Sequence, residues 1–440
     1  MAKPTPQELT ARFADLEPPM TDGEAVVQAG RCLFCFDAPC TRACPTDIDV
    51  PRFIRNILHG HPMAAARTIL DANIFGGSCA RACPTEVLCE GACVDHLRSE
   101  APVQIGRLQR FACDEATASG RELFRPGPST GRRVAVVGSG PAGLTCAHEL
   151  RKHGHEVVVF EAREVAGGLN TLGIAAYKIS TEFGLSEVSL VQQLGIDIRL
   201  NSPIDGAGLR RLLEEYDAVF LGIGLGMTAS LGIEGEDLPG VWEALEFIFQ
   251  THRKPFAECE VGQRVVVIGA GNTAIDVATA AVRLGAEQVT IAYRRDAASM
   301  PAFGYEYELA RSDGVRFEWL AQPHRIVAHD GRVGGVEFSR TELSGSGRTA
   351  QVRTVEGSQF EIQADMVIEA LGQDPCYDFL RSIPELTVER GRVVIDPTDY
   401  ATSIPKLFAG GDCVSGGAEI VDAVQAGKLA ARGIHQSLAR

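Results

Sequence analysis

Eight of the 13 cysteines lie between Cys32 and Cys93, in two runs. The first is Cys32-x2-Cys35-x4-Cys40-x3-Cys44-Pro45, and the second is Cys79-x3-Cys83-Pro84-x4-Cys89-x3-Cys93. Thiolates are soft, anionic donors that suit iron because they can share charge with a redox-active cluster. Structural zinc normally takes two separated pairs, often with histidine. Here four thiols crowd into each run and a proline follows one cysteine in each. An odd total, with no apolar signal-like stretch at the N-terminus, argues against a disulfide framework. It fits a reducing compartment, so a cytoplasmic location is expected.

The runs are close to the cluster-binding spacing in which the last cysteine, before proline, reaches over to a second cluster. Two [4Fe–4S] clusters are therefore expected. Cys32, Cys35 and Cys40 would hold one, completed most simply by Cys93. Cys44 would cross over to join Cys83 and Cys89 at the other. Spacing leaves the fourth ligand of that second cluster open, with Cys79 the simplest choice. The five scattered cysteines read as small buried residues.

A second kind of chemistry begins after the Pro- and Gly-containing stretch 125–132. Arg133–Val137 is a short β-branched run, as in a buried parallel strand. It leads into Gly138-Ser-Gly140-Pro141-Ala142-Gly143, a helical segment, the strand Val157–Phe160 and then Glu161. In this context the first glycine makes the turn and the second admits a pyrophosphate. The third packs helix on sheet, and the acid takes a ribose hydroxyl. The unit recurs: strand Arg264–Ile268, turn Gly269-Ala-Gly271-Asn272-Thr273-Ala274, helix, and strand Gln288–Tyr293. It ends in Arg294-Arg295 where the first unit has its acid. Guanidinium groups pair with a 2′-phosphate that a carboxylate would repel, so NADPH is favoured over NADH.

Two nucleotide folds imply two nucleotides, FAD in the first and NAD(P)H in the second. The strand-to-glycine turn Val367–Gly372, with Leu371 and Gly372, marks where the second domain hands back. Leu407-Phe-Ala-Gly-Gly411-Asp412 returns a strand and a carboxylate to the first sheet. The fold class expected is α/β, with an N-terminal helical two-[4Fe–4S] domain before two Rossmann-like domains. The iron–sulfur domain covers 1–125, and FAD-binding parts cover 126–252 and 368–440. The NAD(P)H-binding domain, 253–367, is inserted between those two parts. At 440 residues and 45% apolar content, the chain can bury several cores. A net charge of −15 speaks against nucleic acid as a partner, and no apolar stretch is long enough for a membrane span.

Taken in order, several features resemble one family: the cysteine runs, both fingerprints, Gly167-Gly168-Leu169 with Lys178, Tyr293-Arg294-Arg295 and Gly410-Gly411-Asp412. That family comprises the glutamate synthase small subunits and the N-terminal half of dihydropyrimidine dehydrogenase. Within it, the likeness is strongest to electron-input flavoprotein subunits of bacterial NAD-dependent dihydropyrimidine dehydrogenases. It rests there on Cys32–Pro45, Cys79–Cys93 and Ile105–Phe111. The resemblance implies that Gln109 is the unusual fourth ligand of the second cluster, leaving Cys79 a non-ligand neighbour. It also implies that Gly168, Leu169 and Lys178 contact the flavin. The pyrimidine type implies NADH, in tension with Arg294-Arg295. No room exists for an FMN barrel of roughly 250 residues, so the implied partner is an FMN-containing pyrimidine-reducing subunit. The alternative partner is a glutamate synthase large subunit. Hydride passage from nicotinamide to flavin needs no general acid or base, and no catalytic side chain is expected.

Overall fold

The computed structural model describes residues 4–345 and 347–439, which divide into two compact units. The larger comprises 17–171, 181–225 and the chain from Pro375 onward. The smaller comprises the N-terminal segment to Leu16, 172–180 and 226–374. In chain order the strands are β1 (Arg133–Val137), β2 (Glu156–Phe160), β3 (Asp197–Arg199), β4 (Ala218–Leu221) and β5 (Val241–Glu243). Next come β6 (Arg264–Ile268), β7 (Gln288–Tyr293), β8 (Arg316–Trp319), β9 (Ala321–His329) and β10 (Arg332–Ser344). The last are β11 (Gln351–Gln363), β12 (Met366–Glu369), β13 (Val388–Glu389), β14 (Arg392–Val393) and β15 (Leu407–Ala409).

The larger unit begins with helices. Val50–Leu58 starts where Asp49 accepts the Arg52 N–H at 3.1 Å, with Pro51 in the first turn. It buries Val50, Phe53, Ile54 and Ile57, one face at helical spacing. Pro62–Ala72 and Ile105–Ser119 pack in the same core, and Gly120 stops the latter at φ +60°. That core runs without a break into the following α/β layer: Phe53, Ile69 and Leu108 belong to one apolar cluster with Val136, Leu150 and Ile434. The helical segment therefore has no separate core of its own. The sheet beside it is parallel, in order β15-β4-β1-β2-β3.

The smaller unit carries a second parallel sheet, β5-β12-β6-β7-β8, and a three-stranded antiparallel sheet, β11-β10-β9. Val241–Glu243 pairs in register with Val367–Glu369. The expected 253–367 boundaries are thus too narrow, because 226–252 and 368–374 belong to this unit as well. A three-residue strand has too little periodicity to be read from sequence alone.

In the larger unit, three histidines gather. His155 Nε2 lies 2.9 Å from His435 Nδ1, His155 Nδ1 lies 2.9 Å from the Thr130 hydroxyl, and His153 stacks on His435 at 4.2 Å. Burial and then the neighbouring imidazoles push His155 down to about 4. The unfolded chain binds this proton near pH 6.5. The sign follows by linkage: above that pH the titration of His155 costs no stability, and stability falls as pH drops from about 6.5 towards 4. The melting temperature of His155→Gln should start lower but decline less steeply over that window than that of the wild type. Parallel slopes would refute this assignment.

Candidate functional site

The two cysteine runs interleave. Cys32, Cys35 and Cys40 line one cavity together with Cys93 of the second run, against Val50, Ile54 and Ile105. Cys44 lines a second cavity with Cys79, Cys83, Cys89 and Gln109. Among the described residues, no three Cys, His, Asp or Glu side chains converge as on a single metal ion. Burial pushes the Cys40 thiol up to about 11 and raises Cys32 and Cys89 too. Cys83 is raised first by its hydrogen bond with Cys79 and then by burial. Buried thiols this close repel as thiolates, and a bound cationic core reverses that balance. The donor sets therefore fit two iron–sulfur clusters.

Gln109 is buried, and its Nε2 donates to the Gly76 carbonyl at 2.7 Å. The amide nitrogen is thereby committed, leaving Oε1 as the donor atom for the cavity. Cys79 lines the same cavity, and its sulfur accepts from Asn73 Nδ2 at 3.2 Å. Lys428, from the helix Ile420–Leu438, donates to the carbonyls of Ala72 (2.7 Å) and Thr46 (3.2 Å), and Thr46 Oγ1 lies 3.3 Å from Cys44 Sγ. Sequence reasoning missed Asn73 and Lys428, since neither lies in a motif.

In the same unit a nucleotide cradle forms at the C-terminal edge of β1. The strand order reverses between β1 and β4, the crevice where such sheets bind ligands. Gly138 has φ +100°, and a Cβ there would meet the Gly222 carbonyl at 2.3 Å. Gly143 is packed against the Gly138 carbonyl, whereas a Cβ on Gly140 would meet nothing within 4 Å. The helix Pro141–Lys152, with Ala142 in its first turn, has no side-chain cap, so its first N–H groups are available to an anion. Gly167 N–H donates to the Ser139 carbonyl at 3.1 Å, and Gly168 packs close to Gly140. Gly411 approaches Ala142, with Asp412 following. Burial raises the Asp412 carboxyl. Glu161 accepts from the Ser139 N–H (3.0 Å) and the Arg163 N–H (2.9 Å), and so holds the glycine loop. The structure brings all of these together with Leu169, the first residue of the helix Leu169–Leu172.

Lys178 falls in the other unit. Its Nζ lies 2.7 Å from Asp276 Oδ1 and also pairs with Glu306, while Tyr177 Oη donates to Asp276 at 3.1 Å. Burial opposes its charge, but the two carboxylates outweigh that and hold the ammonium above its ordinary value. Asp276 and Glu306 gave no signal in sequence because they pair with a lysine about 100 residues away.

The smaller unit has a matching loop. Gly269, at φ +129°, backs onto the Ala370 carbonyl, and a Cβ on Gly271 would meet nothing within 4 Å. Asn272 Oδ1 accepts from the Phe303 N–H at 3.2 Å, Thr273 follows in the first helical turn, and Ala274 is fully buried. Its reversal point lies between β6 and β12. Leu371 and Gly372 follow β12, Leu371 being exposed and Gly372 at φ +95°. Arg294 is exposed after β7, and Arg295 Nη2 donates to the Ala350 carbonyl at 3.3 Å. A third guanidinium, Arg348, comes from the β10–β11 connection and donates to the Pro301 carbonyl at 3.0 Å.

Residues 132–427 match the family model described as pyridine nucleotide-disulphide oxidoreductase. The chain belongs to that family. Residues 9–121 match a model described as dihydropyrimidine dehydrogenase domain II, 4Fe-4S cluster. The glutamate synthase [NADPH] small chain of Escherichia coli is 37% identical, over 96% of this chain and 93% of that one. The NAD-dependent dihydropyrimidine dehydrogenase subunit PreT of Escherichia coli is 34% identical, over 96% and 97%. Mycobacterium tuberculosis FprA in complex with NADPH shares the fold, with a TM-score of 0.57 at 19% identity over 71% of this chain and 85% of that one. This family member is an NAD(P)H-dependent oxidoreductase that uses FAD and [4Fe–4S] clusters. No helix among the described residues is long and apolar enough to cross a membrane.

Proposed function

We propose that this chain is the electron-input subunit of a reductase whose final substrate is reduced on a partner chain. The observation that carries this reading is the joining, in one unit, of a flavin-type cradle and two cysteine-lined cavities. FAD can take the two electrons of a hydride and release them singly, which nicotinamide and iron–sulfur clusters cannot exchange directly. The protein's own part is to hold each group. Gly138–Gly143, Glu161, Gly168, Leu169, Gly411 and Asp412 would cradle FAD, while Gly269, Gly271, Asn272, Thr273, Leu371, Gly372, Arg294 and Arg295 would hold NAD(P)H. Cys32, Cys35, Cys40 and Cys93 would hold one cluster, and Cys44, Cys83, Cys89 and Gln109 the other. The first cavity is the natural exit: Leu33 on its wall is 52% exposed and Phe36, beside Cys35, is fully exposed.

For the partner we favour an FMN-containing pyrimidine-reducing subunit. Gln109 supports it, because this residue lines the second cavity and the resemblance to dihydropyrimidine dehydrogenase makes its amide the fourth ligand there. Glutamate synthase is the second reading, favoured by the 37% identity to a small chain of that enzyme. Anaerobic isolation with co-purifying chains, followed by NADH- and NADPH-dependent assays, separates them. Reduction of uracil supports the first, and glutamate formation from 2-oxoglutarate and glutamine supports the second.

The arginines make the nicotinamide preference testable. A charge-assisted hydrogen bond to a phosphate contributes about 1.5–3 kcal/mol, or about 10–100-fold in affinity. Arg294→Ala should raise KM for NADPH by about that factor and leave KM for NADH unchanged. An equal effect on both nucleotides would place Arg294 outside a 2′-phosphate site.

A further inference from the structure

Glu187 lies on the helix Thr181–Gln192, outside every motif of the sequence, and is 3% exposed. Its carboxylate enters the first turn of the helix Gly76–Ala82, which carries Cys79 and ends at Cys83. Oε1 accepts the N–H groups of Gly77 and Ser78, each at 3.0 Å, and Oε2 accepts the Ser78 hydroxyl. These are N–H groups that a helix start leaves without an internal partner. The acceptor thus comes from a residue more than 100 positions away.

The same turn is gripped from two other sides. The Gly76 carbonyl accepts from Gln109 Nε2 at 2.7 Å and so fixes the amide of a residue that lines the second cavity. The Ser78 hydroxyl accepts from Asn170 Nδ2 at 2.9 Å, and Asn170 follows directly on Gly168 and Leu169 of the flavin cradle. One turn of backbone therefore joins the flavin loop, a buried carboxylate and the donor atoms of the second cavity. The nearest countercharge is Arg81, whose guanidinium is shared between Asp114 at 2.7 Å and the face of Phe183 at 3.6 Å. Negative charge held in so dry a setting acts strongly on any charge nearby.

We propose that Glu187 is a positioning residue for the second cluster: it fixes the turn that orients Gln109 and Cys83, and its charge biases that cluster's potential. Asn170 and Ser78 tie the same turn to the flavin loop. The inference rests on the reading that the second cavity holds a cluster.

The test uses the anaerobically purified full chain at pH 8.5, above the value of about 7 to which burial pushes this carboxyl. Wild type and Glu187→Gln are compared by iron content, by electron paramagnetic resonance of the reduced protein, and by redox titration. The expected result is full iron in both, with one cluster's signal altered and its midpoint potential shifted upward. The other cluster should be unmoved. Removing a nearby negative charge favours the more negative, reduced state. Identical spectra and potentials in the two proteins, with or without a lower melting temperature, would overturn the role and leave Glu187 a structural tie. A wild-type chain with a single cluster would remove the underlying reading, and this role with it. Should Glu187→Gln not fold, Glu187→Asp replaces it. The shorter carboxylate keeps its charge but cannot span both N–H groups, so an altered signal of that one cluster is expected without the upward shift of its potential, and an unchanged spectrum again overturns the positioning role.

Discussion

Cys44→Ala should remove one cluster and spare the other, lowering bound iron from about eight atoms per chain to about four. Cys44 belongs to the first cysteine run but stands with Cys83 and Cys89. Cys93 makes the opposite crossing and stands with Cys32, Cys35 and Cys40. The two substitutions should therefore fail at different clusters. Cys44→Ala should keep the electron paramagnetic resonance signal that Cys93→Ala loses, and the reverse. If the runs instead held one cluster each, Cys44→Ala would share its lost signal with Cys40→Ala. Iron analysis and spectra of the three variants decide between these. Loss of either cluster should also stop reduction of a one-electron acceptor at the exit while flavin reduction by NAD(P)H continues.

Gly140→Val should yield a folded chain that does not retain FAD. A Cβ on Gly140 meets no protein atom within 4 Å, and its φ of −69° suits any residue. The space it would enter is the one beside the uncapped helix start, where the proposed cradle would place the pyrophosphate of FAD. Overpacking of this kind costs about 1–3 kcal/mol or more, or at least about 10–100-fold in flavin affinity. Gly138 is the contrasting case: alanine there faces a Gly222 carbonyl at 2.3 Å and an unfavourable φ of +100°. Gly138→Ala should lower the melting temperature of the flavin-free chain, whereas Gly140→Val should not. Absorbance of bound flavin and melting of both apoproteins provide the check. A Gly140→Val chain that keeps its yellow colour would move the pyrophosphate elsewhere.

Both predictions use residues that were legible in the sequence for a local reason. A fingerprint such as Gly138–Gly143 is contiguous, because one turn must satisfy a tight bend, an anion and a close helix contact within six residues. The cysteine runs are legible in the same way, and so is Arg294-Arg295 at the end of its strand. The reading of Lys178 was of another kind. It came by resemblance, and the structure commits that ammonium to Asp276 and Glu306.

By itself, then, the sequence determined the kinds of chemistry present: cysteine runs for iron–sulfur clusters and two glycine turns of the nucleotide-binding type. Each depends on residues near one another in the chain, where local backbone geometry dictates the pattern. Tertiary structure alone decided that Cys79 and Gln109 both line the cavity of Cys83 and Cys89, with the Gln109 nitrogen held by Gly76. It also placed β5 beside β12, made one core of the helical segment and the first sheet, and brought Glu187, Asn170 and Lys428 to the cluster-bearing turns. These contacts join residues about 30 to 380 positions apart. A hydrogen bond or a packed face at that distance leaves no periodicity and no spacing rule in the chain; it exists only once the core has closed around it.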